Sequence, residues 1–456
     1  MIVARLMCRA EKASGLFSIR KEQHMKKRFS ILVTYALVAS ICISLSGCLE
    51  ISFRNDSEPD ENSITKLESY EAVLSPREIE PFSTEFTSGM NRFGFQVLLD
   101  LYEEQSISVS PASLELAMLM TSMGATGNTK EEMMTALQMS EMSDEEIRSF
   151  VGQLMWRVNT NGMEAANALF PQKDYGFADA FLDICTTDFM ADIYTLDYIN
   201  EPVDSTKRIN DWGDEKTHGK IPKILNQPLD SSTRLVLANA LYFLGDWVTP
   251  FEANNTYDDT FFGAVGESTI PFMHAEQTVL YMEGETYQMI ILPFLGDDGM
   301  TGPFAMSFML PKNKNTPEDV ARELSESDFA DAIANARDTL VRISLPKFEF
   351  EYETSMVETM KRLGMEDAFN DSARFDKMTD GPNGLFISDI LHKTYVRIDE
   401  EGAEAAAITT VIMAETAMPI DPEQPVIFNA DSPFLFSIFD TTDGTILFTG
   451  ITATID

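Results

Sequence analysis

Apolar residues recur at helical spacing early in the chain and shift to strand-like runs further along. Phe86, Met90, Phe93, Val97 and Leu101 lie three or four positions apart, which predicts a helix that begins near Phe86. The preceding residues have no clear period. Regular structure is therefore expected to begin close to residue 85.

Start signals mark three further helices. Ser110 followed by Pro111 predicts an N-cap and a first helical turn. Thr129 with Glu132 three positions later predicts a capping box for a third helix. Ser143, followed by three acidic residues, predicts the start of a fourth.

Strand patterns dominate the later part of the chain, although residues 210–221 suit one more helix. Residues 234–244 form a nearly continuous apolar run, which is typical of a strand covered on both faces. Other strands are expected at 191–198, 289–293, 304–310 and 341–352. Helices come first and strands later without regular alternation, so the predicted fold class is α+β. No linker-like segment interrupts residues 85–456, which predicts one domain there.

The N-terminal 47 residues have the features of an export signal. Lys26, Lys27 and Arg28 precede an apolar stretch that ends at Leu45 and is too short for a comfortable membrane span. Residues 45–48, Leu-Ser-Gly-Cys, resemble the lipobox of prokaryotic lipoproteins, so Cys48 is expected to carry lipid. An ordinary signal peptide is the alternative. The long lead before Met25 also allows translation to begin at that residue.

Composition narrows the partners that the exported chain can have. Residues 48–84 are polar and acidic, which predicts a tether between lipid and domain, in a protein that is membrane-anchored or extracellular. The formal net charge of -39 excludes nucleic acid and anionic lipid surfaces as partners. With Cys48 lipidated, Cys185 has no disulfide partner in the mature chain and is expected to be a small buried apolar residue.

The sequence lacks the usual motifs of enzymes. It contains no G-x-S-x-G elbow, H-E-x-x-H helix, P-loop or dinucleotide-binding glycine pattern. His218, His274 and His392 stand apart, outside metal-ligand spacing, so no metal or cofactor is expected. We therefore expect a protein that is not an enzyme. An exported hydrolase with a triad assembled from distant residues remains an alternative.

Two conflicting signals overlap in residues 399–425. Residues 400–407 are rich in helix formers, whereas residues 408–413 are β-branched, and composition alone favours a surface helix that runs into a strand. Taken as a strand, however, the segment has one face of small uncharged residues that could enter a sheet without overpacking it. That face consists of Ala403, Ala405, Ala407 and Thr409. Glu404 lies on the opposite face, and Gly402 is expected to act as a hinge without Cβ restrictions.

This segment resembles the hinge of inhibitory serpins, a family of serine protease inhibitors. The matching residues are Glu400, Glu401, Gly402, Ala403, Glu404, Ala405, Ala406 and Ala407. Residues 428–436 resemble the family's C-terminal signature. Two positions depart from the pattern: Ala403 stands where Thr or Ser is commoner, and Ser432 where His or Arg is usual. An alanine is small enough for insertion to survive.

Other landmarks of the family follow in the expected order over residues 85–456. Residues 109–113 resemble the start of the second helix in the shutter region, and 210–221 the helix across the main sheet. Residues 239–256 resemble the strand and turn with the N-x-x-x-F-x-G-x-W pattern, and 391–393 the strand before the hinge. So many ordered motifs favour the family over the surface-helix interpretation of the loop.

The resemblance implies a metastable monomer with three β-sheets, eight or nine helices and an exposed reactive-centre loop. A target serine protease cleaves the loop and is trapped as a covalent complex when the loop inserts into the main sheet. In the shutter, His392 is expected to form hydrogen bonds with Ser110 and Asn239, and Trp247 is expected near the top of the sheet. The main alternative is a non-inhibitory serpin that acts as a binding or chaperone-like surface protein.

The position of the cleaved bond depends on how the loop is counted. The family's spacing from the hinge places it between Thr416 and Ala417, whereas counting backward from the C-terminal signature gives a position near Pro422. We prefer the hinge count because the inserted strand must span a sheet of fixed length. Met418 is less suitable because a proline follows it, and Glu415 would suit an acid-specific protease.

The charge of the loop restricts the target. No Lys or Arg occurs after Arg397. A trypsin-like protease selects a basic residue at the cleaved bond. We therefore expect an elastase-like or subtilisin-like target that accepts small or aliphatic residues.

Overall fold

In the computed structural model, the described residues are 66–68, 81–160, 163–296, 298–379, 384–403 and 424–455. Several predictions of the sequence lie outside them. These are the export signal, Cys48, most of the tether, and the loop residues 404–423 with Glu404, Ala405, Ala406, Ala407, Glu415, Thr416, Ala417 and Met418. No helix in the described ranges is long and apolar enough to cross a membrane.

Nine α-helices lie in the described part of the chain. They are α1 (Thr84–Leu101), α2 (Pro111–Ser122), α3 (Gly127–Ala136), α4 (Asp144–Asn159), α5 (Asp179–Thr187), α6 (Pro202–Lys216), α7 (Pro317–Ser327), α8 (Phe329–Asn335) and α9 (Val357–Arg362). Four of them precede the first long strand. The early concentration of helices that the sequence predicted is confirmed.

The strands form three sheets. The first part of the chain supplies β1 (Lys66–Glu68), β2 (Ile107–Val109), β3 (Met163–Pro171), β4 (Ala191–Tyr194), β5 (Leu235–Phe243) and β6 (Gly245–Asp246). The middle supplies β7 (Thr256–Gly263), β8 (Gly266–Glu283), β9 (Tyr287–Leu295), β10 (Thr301–Pro311), β11 (Arg337–Pro346) and β12 (Phe348–Ser355). The last part supplies β13 (Leu391–Ile398), β14 (Gly402–Ala403), β15 (Val426–Asn429), β16 (Phe434–Asp440) and β17 (Ile446–Thr452).

The strand order defines the architecture. The first sheet runs β1-β4-β3-β5, and the third runs β12-β13-β14-β6. The second sheet has nine strands in the order β15-β11-β8-β9-β10-β16-β17-β2, with β7 paired to β8. Only Leu244 separates β5 from β6, so the first and third sheets are joined at one end by consecutive residues. The α+β class and the three sheets are confirmed.

Two of the predicted caps form as expected. The Ser110 hydroxyl accepts a hydrogen bond from the Ser113 amide at 3.1 Å, with Pro111 in the first turn of α2. Ser143 and Glu146 form a reciprocal capping box at the start of α4. Each satisfies amides that the first helical turn leaves free.

The capping box predicted at Thr129 is wrong. Helix α3 begins two residues earlier, at Gly127, without a side-chain cap. Thr129 is instead buried inside the helix, where its hydroxyl accepts a hydrogen bond from the Arg374 amide at 3.0 Å. A distant segment, which no local pattern reveals, is therefore the partner of this residue.

The single strand predicted at 341–352 is also wrong. Residues 337–346 pair with β8 and β15 in the second sheet, whereas residues 348–355 pair with β13 in the third. The break lies at Lys347, whose amide donates to the Pro271 carbonyl oxygen at 2.9 Å. Apolar and polar residues continue to alternate through the break because each of the two strands has one buried face. The alternation alone therefore does not show where β11 ends and β12 begins.

Helix α6 starts earlier than the sequence indicated. It runs from Pro202 to Lys216, whereas residues 210–221 were expected. The Asn210 side chain lies in mid-helix, where its oxygen accepts from the Ile224 and Leu225 amides at 2.8 and 2.7 Å. The Asn210 side chain therefore bonds the segment that follows α6 to α6 itself.

We predict that Glu115 makes the fold less stable as pH rises. Its side chain is buried in α2, neither oxygen has a hydrogen-bond partner in the described residues, and burial raises its pKa well above 4.5. The unfolded carboxyl ionises near 4.5, so higher pH favours unfolding by up to about 1.4 kcal/mol per pH unit. Glu115→Gln should therefore raise the free energy of unfolding at pH 8, and the gain should shrink towards pH 5. Chemical unfolding measures this, with the exposed Glu131→Gln as control; equal effects of the two variants would contradict it.

Candidate functional site

A slot lies between β5 and β13. Strand β5 is paired along one edge with β3, and β13 along one edge with β12; no described strand pairs with the facing edges except at one end. The slot opens into a cavity of about 190 Å³ lined by residues of α2, α6, β5 and β13. Sheet edges are normally paired or covered because backbone groups need partners. The main sheet is thus divided into two halves that can accept another strand.

The hinge residues Gly402 and Ala403 occupy one end of this slot. Ala403 pairs with Ile398 of β13 on one side and with Gly245 of β6 on the other, and Gly402 pairs with Asp246. Ala403 is buried, with 4% of its surface exposed. The first small residue of the predicted inward face therefore already lies inside the sheet.

Trp247 holds the turn that leads into the hinge. Its amide donates to the Glu401 carbonyl oxygen at 2.7 Å, and its indole N–H donates to the Asp399 carbonyl oxygen at 3.1 Å. The indole stacks on Phe294, with ring centroids 4.5 Å apart and planes 13° apart. The sequence predicted this tryptophan near the entry of the loop, and its hydrogen bonds hold Asp399 and Glu401, directly before Gly402.

Glu400 is fixed by a second pair of contacts. The Phe251 amide donates to its carbonyl oxygen at 2.8 Å, and the Lys347 ammonium group bonds to its carboxylate at 2.6 Å. Partial burial raises the pKa of Glu400, but its hydrogen bonds, above all that to Lys347, and the Lys347 charge outweigh burial and lower the pKa below its usual value. Sequence reasoning missed Lys347 because it comes from a distant strand break.

Gly402 is needed for a different reason from the one that the sequence suggested. A Cβ atom there would lie 2.0 Å from the Gly245 carbonyl oxygen and 2.9 Å from the Asp246 Cα. The backbone φ is not in the left-handed region. Close approach to β6, rather than freedom from backbone restrictions, therefore requires glycine at this position.

His392 joins β13 to the start of α2, behind the sheet. Its Nε2 accepts a hydrogen bond from the Ser110 amide at 3.1 Å, while the Ser110 hydroxyl donates to the Leu447 carbonyl oxygen at 2.8 Å. Complete burial lowers the pKa of His392 to about 4. A neutral imidazole that accepts from a backbone amide is a structural bridge, and no acid–base partner faces it among the described contacts.

The expected hydrogen bond between His392 and Asn239 does not form in the described structure. The Asn239 amide nitrogen donates instead to the Asn167 side-chain oxygen on β3 at 2.8 Å, and Asn167 donates to the Phe189 carbonyl oxygen at 2.7 Å. Among the described residues, Asn239 Oδ1 is buried without a hydrogen-bond partner. No described hydrogen bond joins the Asn239 and His392 side chains, and this acceptor on β5 has no partner in the described ranges.

The segment after α6 covers the slot, and residues 217–221 of it belong to the stretch that the sequence analysis expected to lie across the main sheet as a helix. The Lys220 ammonium lies 5.0 Å from the centre of the Tyr395 ring on β13, and the Asn226 amide donates to Glu353 on β12 at 2.7 Å. Both contacts join the α6 side to the third sheet. Any strand that enters the slot must pass beneath this segment.

No described site resembles a metal or hydrolase centre. Among the described residues, no three His, Cys, Asp or Glu side chains come together as metal ligands. His218 bonds to exposed Glu164 at 3.1 Å, and half-buried His274 bonds to the Ser344 hydroxyl at 3.0 Å. Cys185 is buried, as its apolar surroundings predicted.

We predict that His392 makes stability fall with acidification. The unfolded imidazole binds a proton near pH 6.5, whereas the buried one does so only near 4, so lower pH favours unfolding within that window by about 1.4 kcal/mol per unit. His392→Gln should flatten the dependence while keeping an acceptor for the Ser110 amide. Chemical unfolding at pH 7, 5.5 and 4.5 tests this, with exposed His218→Gln as control. Identical slopes in the parent and His392→Gln would contradict it.

Comparison with known proteins identifies the family. Residues 88–454 match the family model described as Serpin (serine protease inhibitor). A serpin-like protein of Thermococcus kodakarensis is 31% identical over 91% of this chain and 97% of its own. The leukocyte elastase inhibitor of Xenopus laevis is 33% identical over 80% of this chain and 98% of its own. The thermophilic serpin tengpin, in its native state, superposes with a TM-score of 0.73 at 29% identity, over 84% of this chain and 97% of that one. The chain belongs to the serpin family, whose members are mostly protease inhibitors rather than enzymes.

Proposed function

We propose that this serpin inhibits a serine protease by loop cleavage followed by insertion of the loop into the slot. The observation that carries the proposal is the slot itself, open between β5 and β13, with Gly402 and Ala403 seated at its upper end. Insertion would pair both free edges. Each new ladder hydrogen bond contributes about 1 kcal/mol, and buried apolar surface adds about 25 cal/mol per Å².

The register at the hinge supports this direction of insertion. Ala403 pairs with Ile398 and Gly245, so the next inward position, Ala405, would lie between Val396 and Phe243. Continuing in steps of two, Ala407 would lie between Thr394 and Leu241. The buried side chains of β13 are those at even positions, 392 to 398, which are the partners that this register assigns to the alanines. In this register the small residues of the loop would therefore point to the same side of the sheet as the buried side chains of β13.

The same register offers a role for Thr409. It would lie between His392 and Asn239, at the level where Asn239 Oδ1 has no partner among the described residues. A threonine hydroxyl can donate one hydrogen bond to that oxygen. Satisfying a buried acceptor would add to the free energy that insertion releases.

For the target, we propose an elastase-like or subtilisin-like protease that cleaves between Thr416 and Ala417. The absence of Lys and Arg after Arg397 supports small-residue specificity.

We also propose that the protein is exported and anchored through lipid on Cys48, on the strength of the lipobox-like sequence. Mass spectrometry of the native N-terminus tests the anchor independently of inhibition.

Incubation with elastase or subtilisin should yield a covalent complex that survives denaturing electrophoresis. The loop-cleaved serpin should also unfold at a higher temperature than the intact protein, because the slot is then filled. Differential scanning calorimetry measures the shift. Cleavage without a complex and without a rise in melting temperature would favour the binding or chaperone-like alternative.

Ala405→Arg should abolish the complex while leaving cleavage of the loop intact. The register directs position 405 into the core beside Val396 and Phe243, where a charged side chain cannot be accommodated. Ala406→Arg is the matched control, because position 406 falls on the opposite face. Gel electrophoresis of timed reactions compares the share of complex with the share of cleaved serpin. Equal shares in the two variants would show that this register is wrong.

A further inference from the structure

The segment before the reactive loop and the segment after β15 are bonded at the two ends of β7, and β15, into which the loop returns, pairs with β11. The Phe251 amide, just before β7, bonds to the Glu400 carbonyl oxygen at 2.8 Å. The Phe262 amide, near the end of β7, bonds to the Asp431 carbonyl oxygen at 2.7 Å. A protease bound to the loop is far wider than one strand, so its surface must come close to β7 and the strands beside it.

The outward face of these strands carries a row of polar and aromatic side chains. Tyr257 on β7 is 57% exposed, and its ring stacks on His274 of β8 at 4.0 Å with an interplanar angle of 12°. His274 bonds to Ser344 of β11 at 3.0 Å, and Ser344 pairs in register with Asn429 of β15. Asp259 is exposed two positions along from Tyr257 on the same face. We name these five residues the anchor face.

The segments that build most of this face lack positive charge. Between Arg234 and Lys312 the sequence contains no Lys or Arg and ten Asp or Glu. After Arg397 it again contains no Lys or Arg and eleven Asp or Glu. Strands β7, β8 and β15 all come from these two stretches.

The basic residues nearest the anchor face, on β11 and just after it, are paired with carboxylates, whereas Arg337 lies at the far end of β11, opposite Tyr281. Arg342 bonds to Glu276 at 2.9 Å, and Lys347 bonds to Glu400 at 2.6 Å. Neither leaves a positive charge uncompensated beside the anchor face. The electrostatic potential at the anchor face is therefore negative for an approaching protein.

We propose that the anchor face is a second docking surface for the target protease, which carries a basic patch beside its active-site cleft. This inference rests on the proposed inhibitory function. A rigid, exposed tyrosine is a typical interface anchor, and the carboxylate next to it attracts a basic surface and speeds association. The loop has no basic residue, so the anchor face supplies selection that the cleaved bond does not.

The test is the second-order rate constant of inhibition for the full-length chain with a cationic elastase and with subtilisin. The double variant Tyr257→Ala, Asp259→Lys should associate with the cationic elastase about tenfold more slowly at low salt, which corresponds to about 1.4 kcal/mol. At high ionic strength the charge part of the difference should shrink. Tyr257→Phe should retain most of the parent rate because it keeps the ring.

Glu326→Lys on α7 is the matched control, since it changes the net charge equally on an exposed helix. Asp259→Lys alone serves if the double variant fails to fold. The number of serpin molecules consumed per protease should stay constant, because insertion is untouched. Equal rate constants for the anchor-face variants and Glu326→Lys with the cationic elastase would overturn the docking surface. A parent chain that forms no covalent complex with either protease would instead overturn the proposed function.

Discussion

The unpaired edges of β5 and β13 are the constraint on which the rest of the molecule depends. A buried sheet edge leaves backbone donors and acceptors without partners, and folded proteins avoid this cost almost everywhere. Among the described strands, the two halves of the main sheet are joined where Gly402 and Ala403 pair with Ile398 and β6, and at no other point. The slot below is covered by α6 and the segment after it. The molecule thus holds a place for one more strand.

The side-chain contacts around the slot fix the strands on each side of it but do not join β5 to β13. At the top, Trp247 bonds to the Asp399 backbone and Lys347 to the Glu400 side chain, just before Gly402. In the middle, His392 bonds to α2 behind the sheet, and Asn239 bonds to its neighbour Asn167 within its own half. None of these side-chain contacts ties β5 to β13. Insertion therefore need not break a bond across the slot in the sheet itself, only the contacts of the covering segment.

Charge and shape act at different places in this protein. In the proposed insertion the slot would receive small uncharged side chains, so its selectivity would be steric and would exclude anything larger than alanine or threonine at inward positions. The surface around the loop anchors is strongly acidic, which affects approach rather than insertion. This separation explains why we assign capture to the hinge residues and recognition to the loop and the anchor face.

The sequence by itself determined what depends on neighbours along the chain. The caps at Ser110 and Ser143, the apolar strand at 235–243 and the small face that begins at Ala403 follow from spacing and side-chain chemistry. Tertiary structure alone decided what depends on distant partners. Thr129 bonds to a remote segment, Asn239 bonds to Asn167 instead of His392, and residues 341–352 divide between two sheets. Hydrogen-bond partners and sheet membership depend on which strands are neighbours in the folded structure. The spacing of apolar residues along the sequence does not show which strands those are.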